Sequence, residues 1–157
     1  MTSLNDNQMI DRIIPSLKAG SKNQALYVVA EYAGKYSGLG EDEIKDILLS
    51  QEKFGAGSGI GDGVAVLHIT SERVKAPFTL FARASQKVPY DSVDGEPVDL
   101  FFLVMSPQED GAQHLQRLSR ISRLGRDRVL CQKLRAADTV DGLKALMFDC
   151  QSHRAAA

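Results

Sequence analysis

Hydrophobic positions divide the chain into helical outer parts and a β-rich middle. From Ser21, the segment SKNQALYVVAEYAGKYSG repeats apolar residues at Ala25, Val28, Val29 and Tyr32, the spacing of one helix face. Ser21 with Gln24 three residues on predicts its capped start. Gly34, Gly38 and Gly40 break the pattern. GEDEIKDILLSQEKF then predicts a second helix, with acids in the first turn, where the helix dipole favours them. Ile44, Ile47, Leu48 and Gln51 fall on its inner side.

The pattern changes at residues 55–63, GAGSGIGDG, with glycine at every second position. VAVLHI follows as a short β-branched strand that carries His68. PFTLFARA, 77–84, predicts another strand, and PVDLFFLVMS, 97–106, a long apolar one covered on both faces. VPYDSVDGEP between them holds turn signals, Asp94-Gly95 among them. Helical spacing returns over 111–124, about 126–136 and about 139–149. Helices on either side of a block of strands predict an α/β layer fold, a single domain over 1–150 with a frayed tail at 151–157.

Composition adds little to this. The chain has 157 residues, 43% of them hydrophobic and 25% charged, and a net charge of −1. That balance makes no global case for nucleic acid or an anionic membrane. The distribution is less even: from Gly111 onward nine Lys/Arg face four Asp, which reads either as a basic docking patch or as a solvated helix face. No apolar run approaches the ~20 residues of a membrane span. The first residues, MTSLNDNQMIDRIIPS, do not read as a signal peptide. Cys131 and Cys150 make neither a disulfide framework nor a zinc pattern. They read as ordinary helix residues in a reducing cytoplasm.

Three features bear on chemistry. The glycine segment lacks both G-x-x-x-x-G-K-[ST] and G-x-G-x-x-G, so it does not read as a nucleotide loop. It allows close backbone approach and an anion nest, or it is a connector. His68 follows it at the end of the strand; a lone histidine there is commonly structural. His114 lies near the start of the 111–124 helix, with Leu118 and Ile121 at core spacing beyond it, and His153 falls in the tail. A neutral imidazole is a competent nucleophile near pH 7, and its phosphoramidate is a readily transferred group. Backbone N–H groups of a glycine loop can stabilise the equatorial oxygens during such a transfer.

Together these residues resemble a known family, the enzyme IIA of the phosphotransferase system, of fructose/mannitol type and nearest its nitrogen-regulatory branch. Gly59-Ile60-Gly61-Asp62-Gly63-Val64-Ala65-Val66-Leu67-His68 is similar to the family segment that ends in its phosphorylated histidine. The likeness continues through YDSVDGEPVDLFFLVMSP and then HLQRLSRISRLGRDRVLCQKLRAADTVDGL, where His114 matches the second active-site histidine. It spans about residues 10–148. The resemblance implies a mixed β-sheet flanked by helices, with His68 as phosphate acceptor, His114 in support, and Gln51, Ser58, Gly59 and Gly61 around the phosphate. It implies an HPr-like phosphocarrier as donor, regulated target proteins such as kinases or transporters, and no metal or organic cofactor.

The chain departs from the family pattern at four places. Gln51 stands where the family has arginine, Leu67 replaces proline, Ile69 replaces glycine, and one extra residue falls within Gly55–Gly59. Gln cannot supply a charge-assisted, bidentate phosphate contact. Two other classes therefore stay open. One is a binding module that keeps the fold without the phosphorylation. The other is a nucleic-acid binder using Arg117, Arg120, Arg123, Arg126 and Arg128, although no aromatic residue interleaves them for base stacking.

Overall fold

Five strands form one mixed sheet in the computed structural model, which describes residues 10–53 and 57–147. The strands are β1 (Arg12–Leu17), β2 (Gly59–Gly61), β3 (Val64–Ser71), β4 (Phe78–Val88) and β5 (Val98–Pro107), in the order β1-β4-β5-β3-β2. β1 runs parallel to β4 and β3 parallel to β5, while β4/β5 and β2/β3 are antiparallel. The helices are α1 (Lys22–Tyr36), α2 (Glu41–Lys53), α3 (Ala112–Arg126) and α4 (Arg128–Ala136), and the chain is helical again over 140–147.

Side-chain alternation explains the layering. All of β5 is buried, as expected of a central strand covered on both faces. Its Val98, Phe101, Leu103 and Met105 join the core under α1 and α2. Leu100, Phe102 and Val104 join the core under α3, α4 and the last helix. On β3, Ala65, Leu67 and Ile69 take the first face and Val64 and Val66 the second. A period of two then puts His68 on the α3 side.

The first helix starts as its sequence predicts, with Ser21 Oγ accepting from Gln24 N at 3.2 Å. The predicted mixed, helix-flanked sheet is present, with three corrections. The segment RIIPSL forms an unanticipated parallel edge strand, β1. The strand predicted over 77–84 extends to Val88, and the strand carrying His68 continues three residues past it to Ser71. The glycine segment is not simply a loop: Gly59–Gly61 is a short strand, and Asp62 (φ 55°) with Gly63 (φ 80°) closes a two-residue hairpin. Positive φ at both central positions is the type I′ signature, for which Asp-Gly is a preferred pair. The 151–157 tail, Cys150, His153, Gly55 and Ala56 lie outside the described residues, and with them part of the extra-residue stretch.

Candidate active site

β3 and β5 run in parallel register, with His68 opposite Val104 and Thr70 opposite Ser106. His68 and Ser106 therefore share the face that α3 covers. After β5 the chain makes a single 3₁₀ turn, Gln108–Asp110, and re-enters as α3 two residues before His114. This short return sets the His114 ring beside that of His68, with centroids 5.6 Å apart and planes tilted by 47°.

The two histidines differ in setting. His68 is exposed, whereas His114 is 5% exposed. His114 Nδ1 lies 2.8 Å from Ser106 Oγ. Its Nε2 is buried without a hydrogen-bond partner among the described residues. Such an orphaned group costs about 1–3 kcal/mol, so it persists where another role holds it. Burial, then the charges of His68 and Arg117, hold the His114 pKa below its ordinary value, against a weaker opposite pull from Asp110. At neutral pH His114 is an uncharged imidazole.

Arg117 Nη1 donates to Ser106 Oγ at 2.7 Å, and its Nη2 pairs with Asp110 Oδ2 at 2.8 Å. Neither Ser106 nor this use of Arg117 is among the residues the sequence singles out. Ser106 closes the apolar run of β5; its period-two spacing from Val104 signals only a shared face, and the register of β3 with β5 is what brings it beside the histidines.

The other predicted site residues divide into two groups. Gln51, on the last turn of α2, reaches the site: its Nε2 donates to the His68 carbonyl at 3.0 Å, where β2 no longer pairs with β3. The remaining three lie beside the first half of β3. Gly59 pairs with Ala65 and Gly61 with Val64, three and four positions before His68, hence about 10 Å or more along the strand. Ser58 is buried, and its hydroxyl is 2.7 Å from that of Tyr90. The structure thus joins His68, His114 and Gln51 and sets Gly59 and Gly61 apart from them, while the Ser58 carbonyl accepts from Val66 N at 2.9 Å, two residues before His68, with the Ser58 hydroxyl turned to Tyr90. The residues that replace the family's proline and glycine, Leu67 and Ile69, are each 1% exposed and face the α1/α2 core, not the site.

Cys131 is buried, and burial pushes its thiol up to about 11, away from thiolate reactivity. Among the described residues no cluster of three or more His, Cys, Asp or Glu can hold a metal ion, and no helix is long and apolar enough to cross a membrane. Of the basic-helix arginines, Arg117 pairs with Asp110 and Arg128 with Asp62, while Arg120, Arg123 and Arg126 are exposed.

Comparison with known proteins agrees with this fold. The family model described as "Phosphoenolpyruvate-dependent sugar phosphotransferase system, EIIA 2" matches residues 9–149. The chain is 39% identical over 137 residues to a nitrogen regulatory protein of Bradyrhizobium diazoefficiens, covering 87% of this chain and 89% of that one. Among solved structures, nitrogen regulatory protein IIA-Ntr from Neisseria meningitidis superposes with a TM-score of 0.79 at 25% identity, over 87% of this chain and 92% of that one. The mannitol IIA of Escherichia coli shares the fold, with a TM-score of 0.72 at 20% identity over 86% and 94% of the two chains. The chain belongs to the EIIA 2 family of the phosphotransferase system.

Proposed function

We propose that this EIIA 2 protein accepts a phosphoryl group on His68 from the phosphohistidine of a small HPr-like carrier, and that its phosphorylation state regulates target proteins. In the transfer, the carrier's N–P bond breaks as a His68 N–P bond forms, and the carrier's imidazole leaves as the neutral base. The observation that carries the reading is the pairing of an exposed imidazole with a buried, neutral one that has an unpartnered ring nitrogen. The exposed ring is reachable by a partner's phosphohistidine. The buried ring offers a donor for a phosphoryl oxygen, and it adds no charge that would need to be desolvated. The nitrogen-regulatory name of relatives that match most of this chain favours regulation over sugar uptake. HPr-like carriers place the reaction in the cytoplasm.

One observation favours the second reading, a binding module of the same fold that is not phosphorylated. The amide of Gln51 is engaged by the His68 carbonyl, so the site has a neutral group where the family has a cation. Incubation with phosphorylated HPr-like carrier separates the two. Phosphate that is acid-labile, alkali-stable and absent from His68→Ala supports the carrier reading. Label that persists in His68→Ala refutes His68 as acceptor, and absence of label in the wild type leaves the binding module.

A further inference from the structure

We infer that Ser106 and Arg117 are positioning residues that fix which nitrogen of His114 carries the proton, with Asp110 holding Arg117 in place. The inference rests on the reading of His68 as phosphate acceptor with His114 beside it.

Ser106 is 0% exposed, so its hydroxyl proton has no access to water. Its oxygen has two partners among the described residues, His114 Nδ1 at 2.8 Å and Arg117 Nη1 at 2.7 Å. A guanidinium only donates. Arg117 therefore occupies a lone pair of Oγ, and the hydroxyl proton has one acceptor among the described residues, His114 Nδ1. If Nδ1 carried the proton instead, the Ser106 O–H would be buried without an acceptor, the arrangement that folded proteins avoid. An imidazole that accepts at Nδ1 and is neutral carries its proton at Nε2. That is the buried nitrogen left without a partner, on the ring that lies beside His68. The chain Asp110–Arg117–Ser106–His114 thus ends in an N–H donor whose tautomer and ring orientation are set by the contacts behind it. Asp110 takes part through its 2.8 Å ion pair with Arg117 Nη2. The return from β5 to α3 keeps all four residues within a dozen positions of sequence.

Two replacements of Arg117 act oppositely here. The ammonium that Arg117→Lys introduces still only donates, so this variant preserves the polarity of the chain. The amide oxygen that Arg117→Gln introduces is an acceptor, which lets the Ser106 proton turn away and frees His114 to protonate Nδ1. Ser106→Ala removes the constraint altogether.

The test is imidazole nitrogen NMR on the ¹⁵N-labelled full chain at pH 7.5, alongside the rate of phosphate uptake from phosphorylated HPr-like carrier. In the wild type and in Arg117→Lys, His114 Nε2 should show the protonated, pyrrole-type shift and Nδ1 the pyridine-type shift. In Ser106→Ala and Arg117→Gln the preference should be lost, and uptake should fall about ten- to a hundredfold, the usual scale for a group that orients a catalytic donor. An Nδ1–H tautomer in the wild type, which needs no variant to fold, overturns the inference. So does a tautomer insensitive to both disruptive variants, or a shifted tautomer with unchanged uptake. If the tautomers behave as stated while the wild type takes up no phosphate, tautomer control stands and the phosphate-acceptor reading is what fails.

Discussion

The two ends of β3 carry similar parts and use them differently. At its start, the Asp62-Gly63 hairpin sits against Arg135, whose Nε contacts both carboxylate oxygens of Asp99 at 3.0 and 2.9 Å and whose Nη2 donates to the Asp62 carbonyl at 2.7 Å. Arg128 pairs with the Asp62 carboxylate at 3.4 Å. A side chain at Gly63 would come within 2.7 Å of Arg135, so the turn and the ion pair require each other. At the other end, an arginine–aspartate pair again leads to a strand terminus, but the chain of contacts finishes on His114 Nε2 without a partner. A network that closes on itself holds the fold. One that stops at a buried, orphaned nitrogen, on a ring beside an exposed histidine, keeps a contact open for a substrate, because the unmade hydrogen bond is gained only when an acceptor arrives.

This contrast breaks most visibly under substitution of the open end. His114→Ala should slow phosphate uptake by about 10²–10⁴-fold, the range of positioned proton-transfer or oxyanion donors, and should cost about 1–3 kcal/mol of stability because the buried Ser106 hydroxyl loses its acceptor. Single-turnover uptake and melting curves check both halves, and an unchanged rate makes His114 structural. At the closed end only stability should suffer. Arg135→Met leaves the Asp99 carboxylate without its partner and loosens the hairpin. The loss should be about 2 kcal/mol, below the 3–5 kcal/mol of a fully buried pair because the Arg135 side chain is 29% exposed. Urea unfolding measures it. Uptake by the folded fraction should stay near wild type, and a large loss of uptake there would mean that the two ends are coupled.

The open end is easier to read from sequence than the closed one. The long apolar strand stands out as a run with few ordinary explanations, whereas His68 and His114, each commonly structural alone, stand out because the family resemblance links them. What escapes is pairing at a distance. β1 is six residues, two of them exposed and two buried, and contains Pro15, so its period-two signal is short and broken. Asp62-Gly63 is the preferred pair for a tight hairpin, yet the surrounding glycines make it look like one more part of a loop. Alternating glycines suggest a phosphate cradle for the same reason, whereas Gly59 and Gly61 lie opposite Ala65 and Val64. Ser106 looks like the ordinary polar end of a strand. Only the parallel register of β3 and β5, which no local pattern encodes, puts it with the histidines.

Gln51 sharpens the comparison from the opposite direction, by adding charge to the open end. Its amide holds the His68 carbonyl, a bond that an arginine N–H can also make. Arg117 does not substitute for the missing cation freely, because Nη1 and Nη2 are engaged by Ser106 and Asp110. Gln51→Arg should therefore speed phosphate uptake about tenfold, equivalent to roughly 1.4 kcal/mol of stabilisation felt more in the transition state than in the ground state. Uptake rates of wild type and Gln51→Arg with one carrier decide it. Equal rates would show that charge at this position does not limit the reaction.

The smallest expected effect is a pH slope in stability that belongs to the open end alone. His114 has its folded-state pKa lowered, chiefly by burial, from the ordinary value of 6.5. Below 6.5 the unfolded chain takes up a proton that the folded protein resists, so the unfolded state binds more protons and stability rises with pH across that window. The contribution is fully present above 6.5 and is lost as pH falls toward the lowered folded-state pKa. His114→Asn removes the titrating group while keeping a polar side chain near Ser106. Urea midpoints taken between pH 7.5 and 5 should therefore decline more steeply for the wild type than for His114→Asn, while the two converge in slope above pH 7. Asp94 supplies the control. Backbone N–H groups of Asp62 and Glu96 hold its carboxylate below the ordinary range, so its own pH dependence lies near and below pH 4 and leaves this window untouched. A wild-type slope matching that of His114→Asn between pH 5 and 6.5 would mean that the buried ring protonates as readily in the folded protein as in the unfolded chain, and the neutral donor assigned to His114 would lose its basis.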